Sequence, residues 1–141
     1  MSGYHLQCRV CEEIADDGPV DACRRCDGPT DVAYDWAHVE HHLSRTLIGE
    51  RPQSLWRYRE LLPTEATVDV GAGWTRLVPC EPLSDLLELD LWLKLESENP
   101  TRSYKDRVAT IAASAALDLG VSTLCCSSTG NLGDAVAAAA S

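Results

Sequence analysis

Lys105 is the residue of this chain best placed for amine chemistry, because the 141 residues contain only one other lysine, Lys94. It lies in the polar segment ESENPTRSYKDR, residues 96–107. We expect Ser103 and Asp106 to begin a helix there as a near-capping box, with aspartate in place of glutamate or glutamine. A cation in a first helical turn faces the positive end of the helix dipole, so a plain surface role explains Lys105 poorly. A desolvated lysine amine can instead form a Schiff base.

Four of the seven cysteines have the spacing of a structural zinc site. Cys8 and Cys11 form one Cys-x-x-Cys pair, and Cys23 and Cys26 form a second one further along the chain. Each pair directs two thiolates at one centre, and two pairs complete a tetrahedron with no open position for catalysis. We expect residues 1–35 to form a zinc ribbon, with two disulfides as the alternative, which a reducing compartment disfavours.

The elements that position Lys105 form a regular pattern after residue 90. The predicted elements are a strand, a helix, a second strand and a second helix, at residues 91–95, 106–119, 121–126 and 132–140. This alternation is typical of an α/β fold, in which ligands bind beyond the carboxyl ends of the strands. The Lys105 turn and the turn Ser127–Asn131 both fall at that edge, which favours a chemical role for the lysine.

Several finer predictions concern packing. On the first of these helices, which Gly120 is expected to end, the spacing predicts a buried face made of Val108, Ile111, Ala112, Ala115 and Leu119. The cysteines outside the ribbon are expected to be small buried core residues without a catalytic role, namely Cys80, Cys125 and Cys126. Weaker patterns earlier in the chain predict helices at residues 34–47 and 82–89.

The charge balance excludes some classes of partner. The net charge is −10, from 22 acidic and 12 basic residues, so nucleic acid is not an expected partner. An acidic surface that is poor in lysine fits a protein solvated in high salt, and we predict a halophilic source. The N-terminus lacks the basic start and apolar core of a signal peptide, and no run approaches the roughly 18 apolar residues of a membrane span. We therefore predict a cytoplasmic protein without a membrane partner.

The order of the motifs resembles a known enzyme family. NPTRSYKDR at residues 99–107, followed by SSTGN at 127–131, is similar to the pyridoxal-phosphate enzymes of the tryptophan-synthase-β fold type. Within that fold type the similarity is closest to the threonine synthases. The resemblance implies that residues 91–141 begin a fold type II pyridoxal-phosphate domain, and that residues 36–90 pack on the catalytic body. The ribbon at residues 1–35 would precede both.

The resemblance also implies a role for each site residue. Lys105 would hold pyridoxal phosphate as a Schiff base and carry protons, and Asn131 would hydrogen-bond the hydroxyl group of the cofactor ring. Ser128, Thr129 and Gly130 would hold the substrate α-carboxylate through hydroxyls and backbone amides. The implied reaction is the conversion of O-phosphohomoserine and water to threonine and phosphate. The implied partner is therefore a small amino-acid phosphoester.

The chain departs from the family pattern at three places. Arg102 stands where the family has glycine, Tyr104 replaces phenylalanine, and GAGWTRL at residues 71–77 replaces Gly-Glu-Gly-x-Thr-Pro-Leu. An inward-pointing Arg102 would bind an anionic group beside the lysine, whereas an outward-pointing one would have no such role. The altered glycine loop leaves cysteate synthase and other relatives of the fold type as alternatives.

Length qualifies what the resemblance implies for activity. Chains of this family are more than twice as long, and the loop that binds the cofactor phosphate would lie beyond residue 141. We therefore expect an N-terminal fragment, from a truncated gene, a split gene or a partial sequence, without independent threonine synthase activity. Its partner would be the remaining part of the enzyme or a second copy of itself. A zinc-ribbon interaction module and a catalytically dead remnant are the alternatives.

Overall fold

The fold is described by a computed structural model for residues 3–15 and 22–141, so residues 1–2 and 16–21 of the predicted ribbon lie outside the described residues. The chain divides into two compact units. The first comprises the described residues of Met1–Pro52 together with Trp56–Thr67 and Ser114–Ser122. The second comprises Gln53–Leu55, Val68–Ala113 and Thr123–Ser141. In the part of the chain that the structure describes, no helix has the length and apolar character needed to cross a membrane.

The first unit begins with a pair of antiparallel strands. Strand β1 (Tyr4–Cys8) pairs with β2 (Thr30–Tyr34), with Tyr4 opposite Tyr34 and Cys8 opposite Thr30. The Tyr34 hydroxyl donates to the Leu61 carbonyl at 2.6 Å. This bond ties the strand pair to the end of the 3₁₀ segment Leu55–Leu61, which is kinked at Tyr58.

Two short helices follow where the sequence pattern predicted one. They are α1 (Trp36–His42) and α2 (Arg45–Glu50). The side chain of Asp35 accepts from the His38 amide at 3.1 Å, and Ser44 Oγ accepts from the Leu47 amide at 3.1 Å. The prediction of a single helix at residues 34–47 is wrong because Ser44 is an extended N-cap residue that starts a new helix.

In the second unit, two short strands flank a helix. Strand β3 (Leu77–Pro79) pairs antiparallel with β4 (Trp92–Lys94), and α3 (Glu81–Leu87) connects them. Proline near the start of α3 fits its first turn, where the missing amide has no intrahelical role. The predicted helix at 82–89 and the predicted strand at 91–95 are confirmed, each with slightly shifted ends.

Two longer helices agree with the predicted pattern, and the first of them belongs to the first unit from Ser114 onward. They are α4 (Lys105–Asp118) and α5 (Asn131–Ala140). Gly120 ends α4 with φ 66°, since its amide donates to the Leu117 carbonyl at 3.0 Å and the Val121 amide donates to Ala116 at 2.8 Å. These two bonds form a Schellman motif, so the predicted glycine stop is confirmed.

The predicted buried face of α4 is wrong. Val108 and Leu119 are 53% and 45% exposed, and Ala112 is also exposed. The buried cluster of this unit consists of alanines from both long helices, Ala109, Ala113, Ala135 and Ala139. The partly buried side chains of Val68, Val70, Leu124 and Val136 pack against these alanines, so the face of α4 with the small residues is the covered one. The predicted face differs because the larger apolar residues of α4, such as Val108 and Leu119, lie on another side of the helix.

The predicted second strand at residues 121–126 is absent from the described chain. The two sheets that the described residues form are the antiparallel pairs β1–β2 and β3–β4. A strand needs a neighbour to bond its amides and carbonyls, and no described segment pairs with residues 121–126. The chain mixes helices and strands as an α/β protein does, without the predicted strand–helix–strand unit. Cys125 and Cys126 are consequently exposed rather than buried, and Cys80 is half-buried.

Candidate functional site

The turn before α4 is held by its own polar side chains. The Thr101 amide and hydroxyl donate to the Asp106 carboxylate at 2.7 and 2.6 Å, and the Lys105 amide donates to Ser103 Oγ at 3.2 Å. Asp106 and Ser103 are both buried. Asp106 therefore reaches back to Thr101 rather than to the Ser103 amide that a capping box would use. Both residues shape the turn that presents Lys105.

Lys105 lines an open pocket of about 620 Å³ at the start of both long helices. The side chain is half-buried, and its ammonium nitrogen lies 4.8 Å from the centre of the Tyr104 ring. The rest of the lining is the turn before α5 and its first residues, Ser127, Ser128, Thr129, Gly130, Asn131 and Leu132. The structure thus brings Lys105 together with the four residues to which the family resemblance assigns cofactor or substrate contacts.

The turn before α5 leaves backbone amides available to an anion. Ser128 Oγ accepts from the amides of Gly130 and Gly133 at 3.1 and 2.9 Å, so this hydroxyl oxygen already closes the turn. Gly130 has φ 154° and ψ −98°, a conformation that side chains exclude. Helix geometry leaves the amides of Asn131 and Leu132 without intrahelical partners, and a helix start favours negative charge.

The glycine-rich loop 71–75 packs closely against the Lys105 turn. Gly73 has φ 90°, and its amide donates to Asn99 Oδ1 at 2.9 Å. A Cβ atom added at Gly73 would lie 3.2 Å from Arg107 Nη1 and 3.2 Å from Leu55 Cβ. The backbone conformation therefore favours glycine, and any side chain here would also make tight contacts. From the sequence this stretch was interpreted as a loop, without a role in positioning the lysine.

Glu96 was also missed by the sequence analysis. Its carboxylate accepts from Nε and Nη2 of Arg107 at 2.8 Å each, from Asn99 Nδ2 at 3.0 Å and from Thr75 Oγ1 at 2.9 Å. The Arg107 guanidinium, helped by the other donors, lowers the pKa of Glu96 to about 2 despite partial burial. The one available signal was the density of charged and amide residues in 96–107.

Arg102 occupies a left-handed backbone conformation with φ 64°. This is the conformation that glycine adopts without steric cost, which accounts for glycine at this place in the family pattern. The arginine is exposed, in agreement with the outward-pointing alternative. Arginine in place of glycine at this position therefore raises the free energy of the backbone conformation, and its side chain lies in solvent.

The four ribbon cysteines converge on one point. All four Sγ atoms lie within 4.8 Å of one another, and none forms a disulfide. Three of the Sγ–Sγ separations are 3.5 Å (Cys8–Cys26), 3.6 Å (Cys11–Cys23) and 3.4 Å (Cys11–Cys26). A tetrahedral zinc ion with bonds of about 2.3 Å holds neighbouring sulfurs about 3.8 Å apart, so this donor set fits zinc with little movement.

Backbone amides favour the thiolate form of one of these thiols. The amides of Cys11 and Val10 lower the pKa of the Cys8 thiol to about 6. The Gly28 amide lowers the pKa of the Cys26 thiol, but the neighbouring thiols of Cys11 and Cys8 raise it. The net result is a pKa raised to about 12. Sulfurs this close repel as thiolates, and a divalent cation removes that repulsion.

Comparison with known proteins agrees with the pocket. Residues 68–141 match the family described as pyridoxal-phosphate dependent enzyme. The chain is 39% identical over 137 residues to threonine synthase of Methanosarcina acetivorans, covering 95% of this chain and 33% of the relative. It is 32% identical over 136 residues to threonine synthase of Methanocaldococcus jannaschii, covering 94% and 34%. For threonine synthase of Halalkalibacterium halodurans, the identity is 42% over 93 residues, covering 60% and 26%.

The match confirms the resemblance seen in the motifs and also sets its extent. The chain spans about a third of the length of the first two relatives. The family match covers both turns of the pocket and more than half of the chain. This chain belongs to the pyridoxal-phosphate dependent enzymes.

Proposed function

We propose that the chain supplies the lysine-bearing part of a threonine synthase-like lyase that uses pyridoxal phosphate. The observation that supports this most is the pocket that Lys105 shares with residues 127–132. The proposed substrate is O-phosphohomoserine, converted with water to threonine and phosphate, because the relatives are threonine synthases. The proposed location is the cytoplasm.

The residues of the pocket fit the cofactor. An aldehyde needs an amine, and Lys105 is the lysine in this pocket. We assign the Asn131 side chain to the hydroxyl group of the cofactor ring, because Asn131 lines the same pocket and can donate from its amide group. When bound, pyridoxal phosphate supplies an electron sink for bond changes in an amino-acid substrate.

The protein residues would divide the remaining work between them. The Lys105 amine, once released by substrate, would take a proton from the substrate α-carbon and return one later. The substrate carboxylate would bind the Thr129 hydroxyl and the amides of Asn131 and Leu132, where the helix start favours an anion. Ser128 would act through the turn, because its oxygen already accepts two amides. Gly130 would allow the carboxylate to approach the backbone.

Chemical trapping tests this assignment on the 141-residue chain itself. Incubation with pyridoxal phosphate, borohydride reduction and peptide mapping should place the pyridoxyl group on Lys105. Lys105→Arg should remove that label, whereas the matched variant Lys94→Arg should retain it. Equal labelling of the two lysines in the unaltered chain would contradict the proposal.

Turnover is a separate question from cofactor attachment. We propose that threonine formation needs the further two thirds of the relatives' length, so the 141 residues alone should release no phosphate from O-phosphohomoserine. Phosphate release by this chain that depends on Lys105 would overturn that expectation.

We also propose that the four cysteines hold a structural zinc ion. Their donor set is complete with four thiolates, so the ion would stabilise the β1–β2 region and would bind no substrate. Metal analysis of the purified chain should give one zinc per chain. Cys11→Ser should lose it, and Cys80→Ser, outside the cluster, should keep it. A chain that folds unchanged with chelator present would exclude a structural role for zinc.

A further inference from the structure

The carboxylate of Glu96 joins both ends of the segment that carries Lys105. Asn99, which precedes the lysine, donates from Nδ2 at 3.0 Å. Arg107, which follows it, donates from Nε and Nη2 at 2.8 Å. Because one carboxylate binds both ends, the segment between them cannot shift without breaking a charge-assisted hydrogen bond. We call Glu96, Asn99 and Arg107 the Glu96 clamp.

The clamp is also fastened to the glycine loop. Asn99 Oδ1 accepts from the Gly73 amide at 2.9 Å, and the Thr75 hydroxyl donates to Glu96 at 2.9 Å. Asn99 is 1% exposed, and a Cβ atom at Gly73 would lie 3.2 Å from Arg107 Nη1. Removal of the Asn99 amide group would take one hydrogen-bond partner each from the half-buried Gly73 amide and the half-buried Glu96 carboxylate, which weakens the link between the loop and the turn.

A second link between the same two segments lies on the surface. The Glu98 carboxylate accepts from the Arg76 amide at 3.0 Å and from Arg76 Nε at 2.6 Å. The Arg76 side chain is 71% exposed, so solvent screens this pair. This pair links Arg76, next to the glycine loop, to Glu98, and its hydrogen bonds involve neither Asn99 nor Arg107. It therefore serves as a matched control.

From this geometry we infer that the Glu96 clamp is a positioning device for Lys105, holding its amine where the cofactor aldehyde must reach it. The inference rests on the proposed attachment of pyridoxal phosphate to Lys105. Asn99 and Glu96 act through the backbone of the turn and are positioning residues, because they do not line the pocket. The clamp would also hold the lysine in a first helical turn, where the dipole disfavours a cation.

Two labelling reactions on the full chain test the clamp. Borohydride trapping of pyridoxal phosphate reports an amine held in a productive position, whereas acetic anhydride reports only how accessible the amine is. Both are measured on Lys105 relative to the N-terminal amine, at a temperature where circular dichroism shows the variant folded. Asn99→Ala and Glu96→Gln should lower pyridoxyl labelling about tenfold, as expected for a misplaced reacting group, while acetylation rises. Glu98→Gln should leave both unchanged.

Each outcome separates the clamp from the proposed function. If both labels on Lys105 rise together in the variants, or neither changes, the clamp does not position the amine and the inference is overturned. If the unaltered chain shows no preferred pyridoxyl labelling of Lys105, the proposed function fails. The acetylation of Lys105 then still shows whether the clamp holds the side chain. Glu96→Gln keeps the shape of the side chain, so the test remains valid if Asn99→Ala does not fold.

Discussion

The two turns that line the Lys105 pocket are held in place in different ways. The lysine turn is fixed by buried side chains, with Asn99 and Asp106 each 1% exposed. The turn Ser127–Asn131 is exposed along its whole length and is closed mainly by the Ser128 hydroxyl. The segment before it, residues 121–126, pairs with no strand in the described residues. The backbone that carries Lys105 is thus held by more buried side chains of this chain than the turn Ser127–Asn131 is.

The largest expected effect comes from breaking the Glu96 clamp. Glu96→Ala removes the acceptor of four donor atoms, including both hydrogen bonds that the partly buried Arg107 guanidinium makes to this carboxylate, so the free energy of unfolding should fall by about 2–4 kcal/mol. Thermal unfolding followed by circular dichroism measures the change. Glu98→Ala, at the exposed pair, should cost much less. Equal losses of unfolding free energy in Glu96→Ala and Glu98→Ala would show that the more buried carboxylate is no more important for stability than the exposed pair.

A substitution in the glycine loop should break the same region by steric contact. Gly73→Ala places a Cβ atom 3.2 Å from Arg107 Nη1 at a φ of 90°, and the expected loss is about 1–3 kcal/mol. Gly49→Ala is the control, because Gly49 lies in α2 with open space around it. That change should stabilise the chain by about 0.5–1 kcal/mol. Chemical denaturation of both variants gives the comparison, and a neutral Gly73→Ala would refute the close approach.

Acid should weaken the lysine turn. The Arg107 guanidinium is the main cause that lowers the pKa of Glu96 to about 2, against 4.5 for an ordinary glutamate. A folded-state pKa below the unfolded value means that the stabilisation is present above about pH 4.5 and is lost as the pH falls from there toward 2. The melting temperature of the unaltered chain should fall faster over this range than that of Glu96→Gln. Parallel curves would show that Glu96 is not the cause of the pH dependence. The Glu60 carboxylate, whose pKa is also lowered to about 2, contributes equally to both curves.

The exposed turn should respond weakly. Ser128→Ala removes the acceptor of two amides that water can reach, so the expected loss in unfolding free energy is about 0.5–1 kcal/mol. Pyridoxyl labelling of Lys105 should change less than in Asn99→Ala. Ser127→Ala is the neighbouring control. A loss as large as that of Glu96→Ala would remove the contrast between the two turns.

A small effect of the opposite sign is expected at Arg102. Arg102→Gly relieves a left-handed backbone at φ 64°, and the net gain should be about 0.5–1 kcal/mol because glycine also loses more entropy on folding. Urea unfolding measures it. A destabilised Arg102→Gly variant would indicate that the arginine side chain makes a stabilising contact.

Local signals in the sequence predicted most of the helices, whereas contacts between residues distant in sequence determined the packing and the strand pairing. The helices α4 and α5 and the glycine stop at Gly120 follow from residue types close together in the chain. The convergence of the four cysteines also follows from spacing, although zinc itself stays a prediction. The bond from Gly73 to Asn99 joins residues far apart in sequence, and no periodicity encodes it. The prediction of a strand at 121–126 was wrong for a related reason, because a strand forms only when a second segment pairs with it.

The contact between Gly73 and Arg107 has an evolutionary consequence. A side chain at position 73 is compatible with this turn only if Arg107 and Leu55 give way by a few tenths of an ångström. Because the Arg107 guanidinium also makes two of the four hydrogen bonds to Glu96, such a movement would be felt at that carboxylate. Substitutions at positions 73, 96 and 107 should therefore depend on one another as the sequence evolves.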